Sequence, residues 1–149
     1  MKMVKDILKN KNQKEVWSIK PKATVFEALA LMGEKEIGAL MVIDEKGKVA
    51  GIISERDYAR KIILKGKTSK ETAVEEIMTP ADQMYRVKPE TSVDDCMVLI
   101  TGKHIRHVPV FDNDKFVGVI SIGDVVKSII AEQETLIEQL SNYIAGKYT

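Results

Sequence analysis

Two short stretches of the 149-residue chain place a hydroxyl three residues ahead of a carboxylate: Ser54-Glu55-Arg56-Asp57 and Ser121-Ile122-Gly123-Asp124. Ahead of an apolar run, Ser-x-x-Asp reads as a helix start. The hydroxyl accepts an amide of the first turn, and the acid faces the positive end of the helix dipole. Arg56 sits one residue before Asp57, at a helix N-terminus that already favours an anion. Arg106 and His107 precede Val108-Pro109 on an apolar stretch, where charged groups are costly to bury unpaired. Each also has a plain structural account: a cap for the Ser-x-x-Asp pairs, a solvated surface for the arginines. Gly51 and Gly118, just ahead of the two motifs, suit a tight turn or close backbone packing. His104 and His107 are the only histidines; three residues apart with no third ligand, they make a poor metal site. Neither has a serine or cysteine nucleophile for a partner in the sequence. The residues therefore point to no catalytic group, no metal site and no enzyme.

The elements that must position these residues occur twice. Sliding the chain by 68 residues lays Ile19-Lys20-Pro21 on Val87-Lys88-Pro89, Val25 on Val93, Leu31 on Leu99 and Val42 on Val110. One extra turn residue in the first copy then makes the offset 67, and Gly51, Ser54 and Asp57 meet Gly118, Ser121 and Asp124. Upstream, Val4-Lys5-Asp6-Ile7-Leu8 matches Val74-Glu75-Glu76-Ile77-Met78. Each copy reads as a short strand (16–19; 84–87), a Lys-Pro turn, and a helix capped by Thr24 or Ser92. That helix puts Val25, Leu29 and Met32, or Val93, Met97 and Ile100, on one face. Two strands follow (39–43 and 49–53; 107–111 and 116–120), then a helix from Ser54 or Ser121. The order β-α-β-β-α, twice over, predicts an α/β fold of two small sheets. Repeat 1 is placed at 1–70 and repeat 2 at 71–131, packed with pseudo-twofold symmetry because neither copy alone buries both its faces. Residues 132–149 form a C-terminal helical extension. From Val125 on, Val126, Ile129, Ile130, Leu136, Ile137, Leu140, Tyr143 and Ile144 follow a helical period; that stripe suits either the domain's own flank or a dimer contact.

Charge and composition exclude several classes. Lys plus Arg number 23 against 22 Asp plus Glu, a net charge of +1, which argues against gripping a nucleic-acid backbone by counterion release. Lys9, Lys11, Lys14, Lys20 and Lys22 could form a basic arm, but no recognition helix accompanies them, and such a run usually makes a solvated surface. No apolar stretch approaches the ~20 residues of a membrane helix, and the N-terminus lacks the apolar core of a secretory signal. Cys96 is the only cysteine, so no intrachain disulfide forms. The expectation is a soluble cytoplasmic protein with neither membrane nor nucleic acid as a partner.

The paired Gly-Ile-Ile-Ser-Glu-Arg-Asp (51–57) and Gly-Val-Ile-Ser-Ile-Gly-Asp (118–124), with the Ile-Met-Thr-Pro linker at 77–80, resemble the CBS domain, named after cystathionine β-synthase. Its members occur as tandem pairs, called Bateman modules, and the likeness covers almost the whole chain as a stand-alone pair. The resemblance implies a regulatory, signal-transducing sensor that binds an adenosine ligand (AMP, ADP, ATP or NAD class) between the repeats, with no catalytic cofactor. In such pairs the aspartate, here Asp57 or Asp124, holds both ribose hydroxyls, since its two oxygens accept from two vicinal O–H groups. The hydroxyl of Ser54 or Ser121 approaches phosphate, with Arg56, Arg106 and His107 as its cations. The base pocket maps onto Ile37 and Ala39 with Val16 in one cleft, and Ile105 and Val108 with Thr79 and Met84 in the other. Gly38-Ala39 replace Arg106-His107 in the first copy and Gly123 replaces Arg56 in the second, so the sites should be unequal, the stronger where Arg56 approaches Ser121 and Asp124. The resemblance also implies a disc-shaped homodimer and an unidentified target protein. The rival expectation is a protein-interaction scaffold with no physiological nucleotide.

Overall fold

Thr24 and Ser92 act as the helix caps their positions predict: Thr24 Oγ1 accepts the Glu27 amide at 3.1 Å and Ser92 Oγ the Asp95 amide at 3.0 Å. The computed structural model describes residues 2–11 and 17–146. Its elements run α1 (Val4–Asn10), β1 (Ser18–Ile19), α2 (Val25–Lys35), β2 (Ala39–Ile43), β3 (Val49–Ser54), α3 (Glu55–Tyr58, continued by a π-helical stretch Ala59–Ile63), α4 (Val74–Ile77), β4 (Thr79–Pro80), α5 (Val93–Lys103), β5 (His107–Asp112), β6 (Lys115–Ser121) and α6 (Ile122–Ile144). The capped helices α2 and α5 also end alike, on Glu36 and His104 in the left-handed conformation with φ 54° at both. His104 is thus a helix C-cap.

The chain divides into two compact units, Gln13–Tyr85, and Met1–Asn12 with Arg86–Thr149. In the first, the sheet order is β1-β2-β3-β4, with β1 parallel to β2 and the other pairs antiparallel. Val25, Ala28 and Met32 of α2 bury against Leu40, Val42 and Ile53 of the sheet, with Ile62, Val74 and Ile77 completing the core. In the second unit, β5 and β6 form an antiparallel pair, and the strand expected at 84–87 contracts to one parallel bridge, Val87 to Val110. Its core joins Val93, Cys96 and Ile100 of α5 to Val108, Val110 and Ile120, with Val4 and Ile7 of α1 and Val125 of α6.

The leading helix of each copy therefore folds onto the body of the other copy. The docking uses the same three main-chain bonds in both units. In one, Val4 N–H donates to Thr91 O (2.8 Å), Lys5 N–H to Pro89 O (2.9 Å) and Val93 N–H to Lys2 O (3.1 Å). In the other, Val74 donates to Ala23 (2.8 Å), Glu75 to Pro21 (3.0 Å) and Val25 to Thr72 (2.9 Å). A repeat of the sequence is thus a different object from a compact unit in space.

Gly51 and Gly118 have their explanation here. A Cβ on Gly118 would lie 2.8 Å from Leu8 Cδ2, and one on Gly51 would lie 2.9 Å from Met78 Sδ and collide with the Thr79 carbonyl oxygen. Leu8 and Met78 are the matched fifth residues of the two leading segments. The glycines are the floor on which those segments rest, which is the close backbone packing expected of them. Gly51→Ala should lower stability by about 1–3 kcal/mol because it meets main chain. Gly118→Ala meets only a rotatable leucine tip, so its cost should stay below about 1 kcal/mol. Urea denaturation of both variants checks the ranking, and equal losses would contradict it.

Candidate functional site

Both Ser-x-x-Asp motifs lie where a β-strand turns into a helix, and both close as reciprocal caps. At the end of β6, Ser121 N–H donates to Asp124 Oδ2 (2.9 Å) while Ser121 Oγ accepts the Asp124 amide (3.1 Å). At the end of β3, Ser54 N–H donates to Asp57 Oδ2 (2.9 Å), Ser54 Oγ–H reaches the same oxygen (3.2 Å) and Ser54 Oγ accepts the Asp57 amide (3.4 Å). The cap reading and the ligand reading therefore concern the same atoms, because capping fixes the carboxylate a ligand would meet.

Neighbouring strands bring further residues to each junction. In the unit Gln13–Tyr85, Ala39 pairs with Ser54 and Gly38 O accepts the Glu55 amide at 3.1 Å. Ile37 precedes them, half-buried against the core. Thr79 pairs with Ile52 on the other side of β3, Met84 is half-buried just beyond β4, and half-buried Arg56 lies in the first turn of α3. In the second unit, His107 pairs with Ser121 and Val108 with Ile120, and Arg106 O accepts the Ile122 amide at 2.8 Å. Arg106 is exposed, Ile105 and His107 are half-buried, and Val108 has no exposed surface. Val16 lies outside the described residues.

Each aspartate also carries a lysine that the motifs did not point to. Lys11, just past α1, donates to Asp124 Oδ2 at 2.8 Å and to Val119 O at 3.0 Å. Lys61 lies 3.2 Å from Asp57 Oδ1 and donates to Ile77 O of α4 at 2.8 Å. The two lysines are not repeat-equivalent, yet each ties a leading helix to an aspartate. Lys61 stands four residues after Asp57, a spacing legible on a helix face. Lys11 and Asp124 stand 113 residues apart, and only the docking of α1 on β6 brings them together.

The charges respond to this arrangement. Burial alone would push the Asp124 carboxyl up, but the hydrogen bond and charge of Lys11 and the bonds from Ser121 outweigh it and hold it below its ordinary value. His107 is held below its ordinary 6.5, first by burial and then by the charges of Lys11 and Arg106, with Asp124 opposing. His107 is thus neutral at pH 7. Burial pushes the Cys96 thiol up to about 11, so it stays protonated at neutral pH and packs as a core residue.

The unfolded chain binds a proton at His107 before the folded chain does, so stability should decline as pH falls below about 6.5. The Asp124 contribution is complete above the unfolded carboxyl value of ~3.9 and is lost as pH falls further, through its depressed folded value. Lys11→Met should raise the pKa of both groups, read by NMR titration of the imidazole and the carboxylate. An unmoved His107 would show that Lys11 does not act on it.

The comparisons with known proteins agree with this architecture. The family profile of the CBS domain matches residues 4–64 and 74–131. The mitochondrial CBS domain-containing protein CBSX3 of Arabidopsis thaliana is 43% identical over 127 residues, covering 84% of this chain and 62% of that protein, so the chain spans just under two thirds of its length. A solved CBS-domain protein from Burkholderia ambifaria is 46% identical with a TM-score of 0.83, covering 89% of this chain and 96% of the other. CBSX2, solved with AMP, is 27% identical with a TM-score of 0.71, covering 89% of this chain and 99% of the other. The CBS domain pair of protein MJ0100, solved with 5′-methylthioadenosine and S-adenosyl-L-methionine, is 27% identical with a TM-score of 0.75, covering 89% and 98%.

Proposed function

Since the chain belongs to the CBS-domain family and carries two such domains in tandem, we propose that it is a regulatory module that binds an adenosine ligand at its Ser-x-x-Asp junctions. The observation that carries this reading is the Asp124 carboxylate. Oδ2 is fixed by the Ser121 amide and Lys11, while among the described residues no hydrogen bond reaches Oδ1. A ribose diol needs two acceptors on one rigid carboxylate, and Asp124 offers Oδ1 directly and Oδ2 where the diol replaces Lys11. Released from the carboxylate, the Lys11 ammonium stays beside the first turn of α6, which holds Asp124 and where a ligand phosphate is favoured. At the other junction Lys61 sits on Oδ1 of Asp57 and Ser54 engages Oδ2 on two sides, so the two junctions are unequal and Asp124 is the better diol acceptor.

The ligands bound by CBSX2 and by the MJ0100 pair share only their adenosine portion, which supports an adenosine class including AMP, ADP, ATP or NAD. In this reading Ile37, Ala39, Thr79, Met84 and Ile105 line the base pockets, Val108 stands behind Ile105 in the core with no exposed surface, and Arg56, Arg106 and His107 supply polar contacts to phosphate. Ligand that prefers one conformation of the module shifts its population and so alters the binding of a target protein. The reading includes a homodimer and a cytoplasmic setting. Among the described residues no helix is long and apolar enough to cross a membrane.

Isothermal titration of AMP into Asp124→Ala and Asp57→Ala tests the assignment. Losing the charge-assisted diol bonds at Asp124 should weaken AMP by about 10- to 100-fold, corresponding to roughly 1.5–3 kcal/mol, and Asp57→Ala should weaken it less. Unchanged affinity in Asp124→Ala would overturn the role. Arg56→Glu should weaken AMP more than adenosine; equal losses would remove Arg56 from the phosphate.

A further inference from the structure

Helix α6 continues well beyond the core it starts in. Val125 is buried and Ile129 packs against the core of its unit, but every residue from 131 to 146 is exposed. This outer part is not polar: Ile137, Leu140, Tyr143 and Ile144 are 61%, 54%, 66% and 84% exposed. We infer that the exposed face of α6 from Val126 to Ile144 is the seam of a two-stranded parallel coiled coil with a second copy of this chain. The inference deepens the homodimer part of the reading above and rests on it.

The spacing carries the argument. Val126, Ile130, Gln133, Ile137, Leu140 and Ile144 step by four and three alternately, which keeps one seam facing one partner helix. One set of seam positions is Ile130, Ile137 and Ile144, all β-branched as in two-stranded parallel coils, and the other holds Val126, Gln133 and Leu140, leucine at one of its three places. Val126, Ile130, Ile137, Leu140 and Ile144, 39–84% exposed, form one apolar stripe of the kind that marks a protein–protein contact. Fewer than three heptads make a marginal coil in isolation. Here the first turns of the helix are already held by the core, so the nucleation cost is met before the copies meet.

Two polar residues choose the direction. In a parallel pair Gln133 meets Gln133 of the second copy, and each amide can donate to and accept from the other. In the antiparallel register that matches all six seam positions, Gln133 faces Ile137, and its amide is desolvated without a partner. Glu134 flanks the seam. Antiparallel pairing brings the two Glu134 carboxylates together near the dyad, whereas parallel pairing sets them on opposite sides of the seam, with Leu136 and Tyr143 widening the apolar stripe on the other flank.

Sedimentation equilibrium of the full chain should give a dimer, and Ile137→Glu with Leu140→Glu should give a monomer with unchanged unfolding of the body, since both positions are exposed in the single chain. Oxidised Leu140→Cys should form a disulfide-linked dimer, because position 140 meets itself only in the parallel arrangement. A monomeric wild type would overturn both the coil and the homodimer. A dimer that survives the double glutamate variant would overturn the coil and leave a homodimer built on another surface. Cross-linking only in a mixture of Ile130→Cys and Leu140→Cys chains would overturn the parallel direction.

Discussion

The contact on which the arrangement depends is the seating of a leading segment on a glycine. Leu8 lies over Gly118 and Met78 over Gly51 so closely that a methyl group at Gly118 would displace the Leu8 tip and one at Gly51 would strike main chain. Because the seat is in the strand that ends in Ser-x-x-Asp, the same close approach that completes each core fixes the distance from the leading helix to the aspartate. One turn beyond Leu8 the chain reaches Lys11, and Lys11 reaches Asp124. In the other unit the link runs back from Lys61 to Ile77 O at the end of α4. Packing and electrostatics are thus two consequences of one glycine in each copy.

This arrangement sets the Asp124 cap apart from an ordinary helix cap. A capping aspartate at a solvated helix end is a stabilising detail worth about a kilocalorie or less. At Asp124 the carboxylate is partly desolvated, orientated by the Ser121 amide and charged by proximity to Lys11. The depressed His107 follows first from its burial at this junction and then from the same neighbours, since a neutral imidazole avoids adding a third cation beside Lys11 and Arg106. Duplication then allowed the two junctions to diverge. Both keep serine and aspartate, but the lysine arrives from the leading helix at one and from the following helix at the other, and so it occupies a different carboxylate oxygen.

Much of this was legible because it is local. The Thr24 and Ser92 caps and the two capping boxes are each written within a few residues of chain, and the strands, helices and helical tail follow from an apolar period that needs no distant partner. The repeat offset carried the α/β architecture as well, since matched Gly51 and Gly118, or Asp57 and Asp124, must have matched surroundings. What was not legible is non-local. Nothing near Val4 states that its helix joins the body of the second copy, and Lys11 read as one more lysine of a solvated run. The strand expected at 84–87 reduced to a bridge at Val87, because apolar alternation allows a strand but only available partners make one. Val16 falls outside the described residues, and the roles assigned to it and to Ile37, Arg56, Thr79 and Arg106 rest on likeness.

The central claim is that an orientated carboxylate at the end of β6 recognises a ribose diol. The most direct measurement is a thermal-shift series of the intact chain with AMP, 2′-deoxy-AMP, GMP and S-adenosylmethionine at matched concentrations. A ligand at 100 times its dissociation constant adds about 2.7 kcal/mol, which raises the melting temperature of a protein this size on the order of 5–10 °C. The account predicts such a rise with an adenosine ligand and little or none with 2′-deoxy-AMP. Equal rises with AMP and 2′-deoxy-AMP would contradict it, because they would show that the diol, and with it the aspartate, is not what the protein reads.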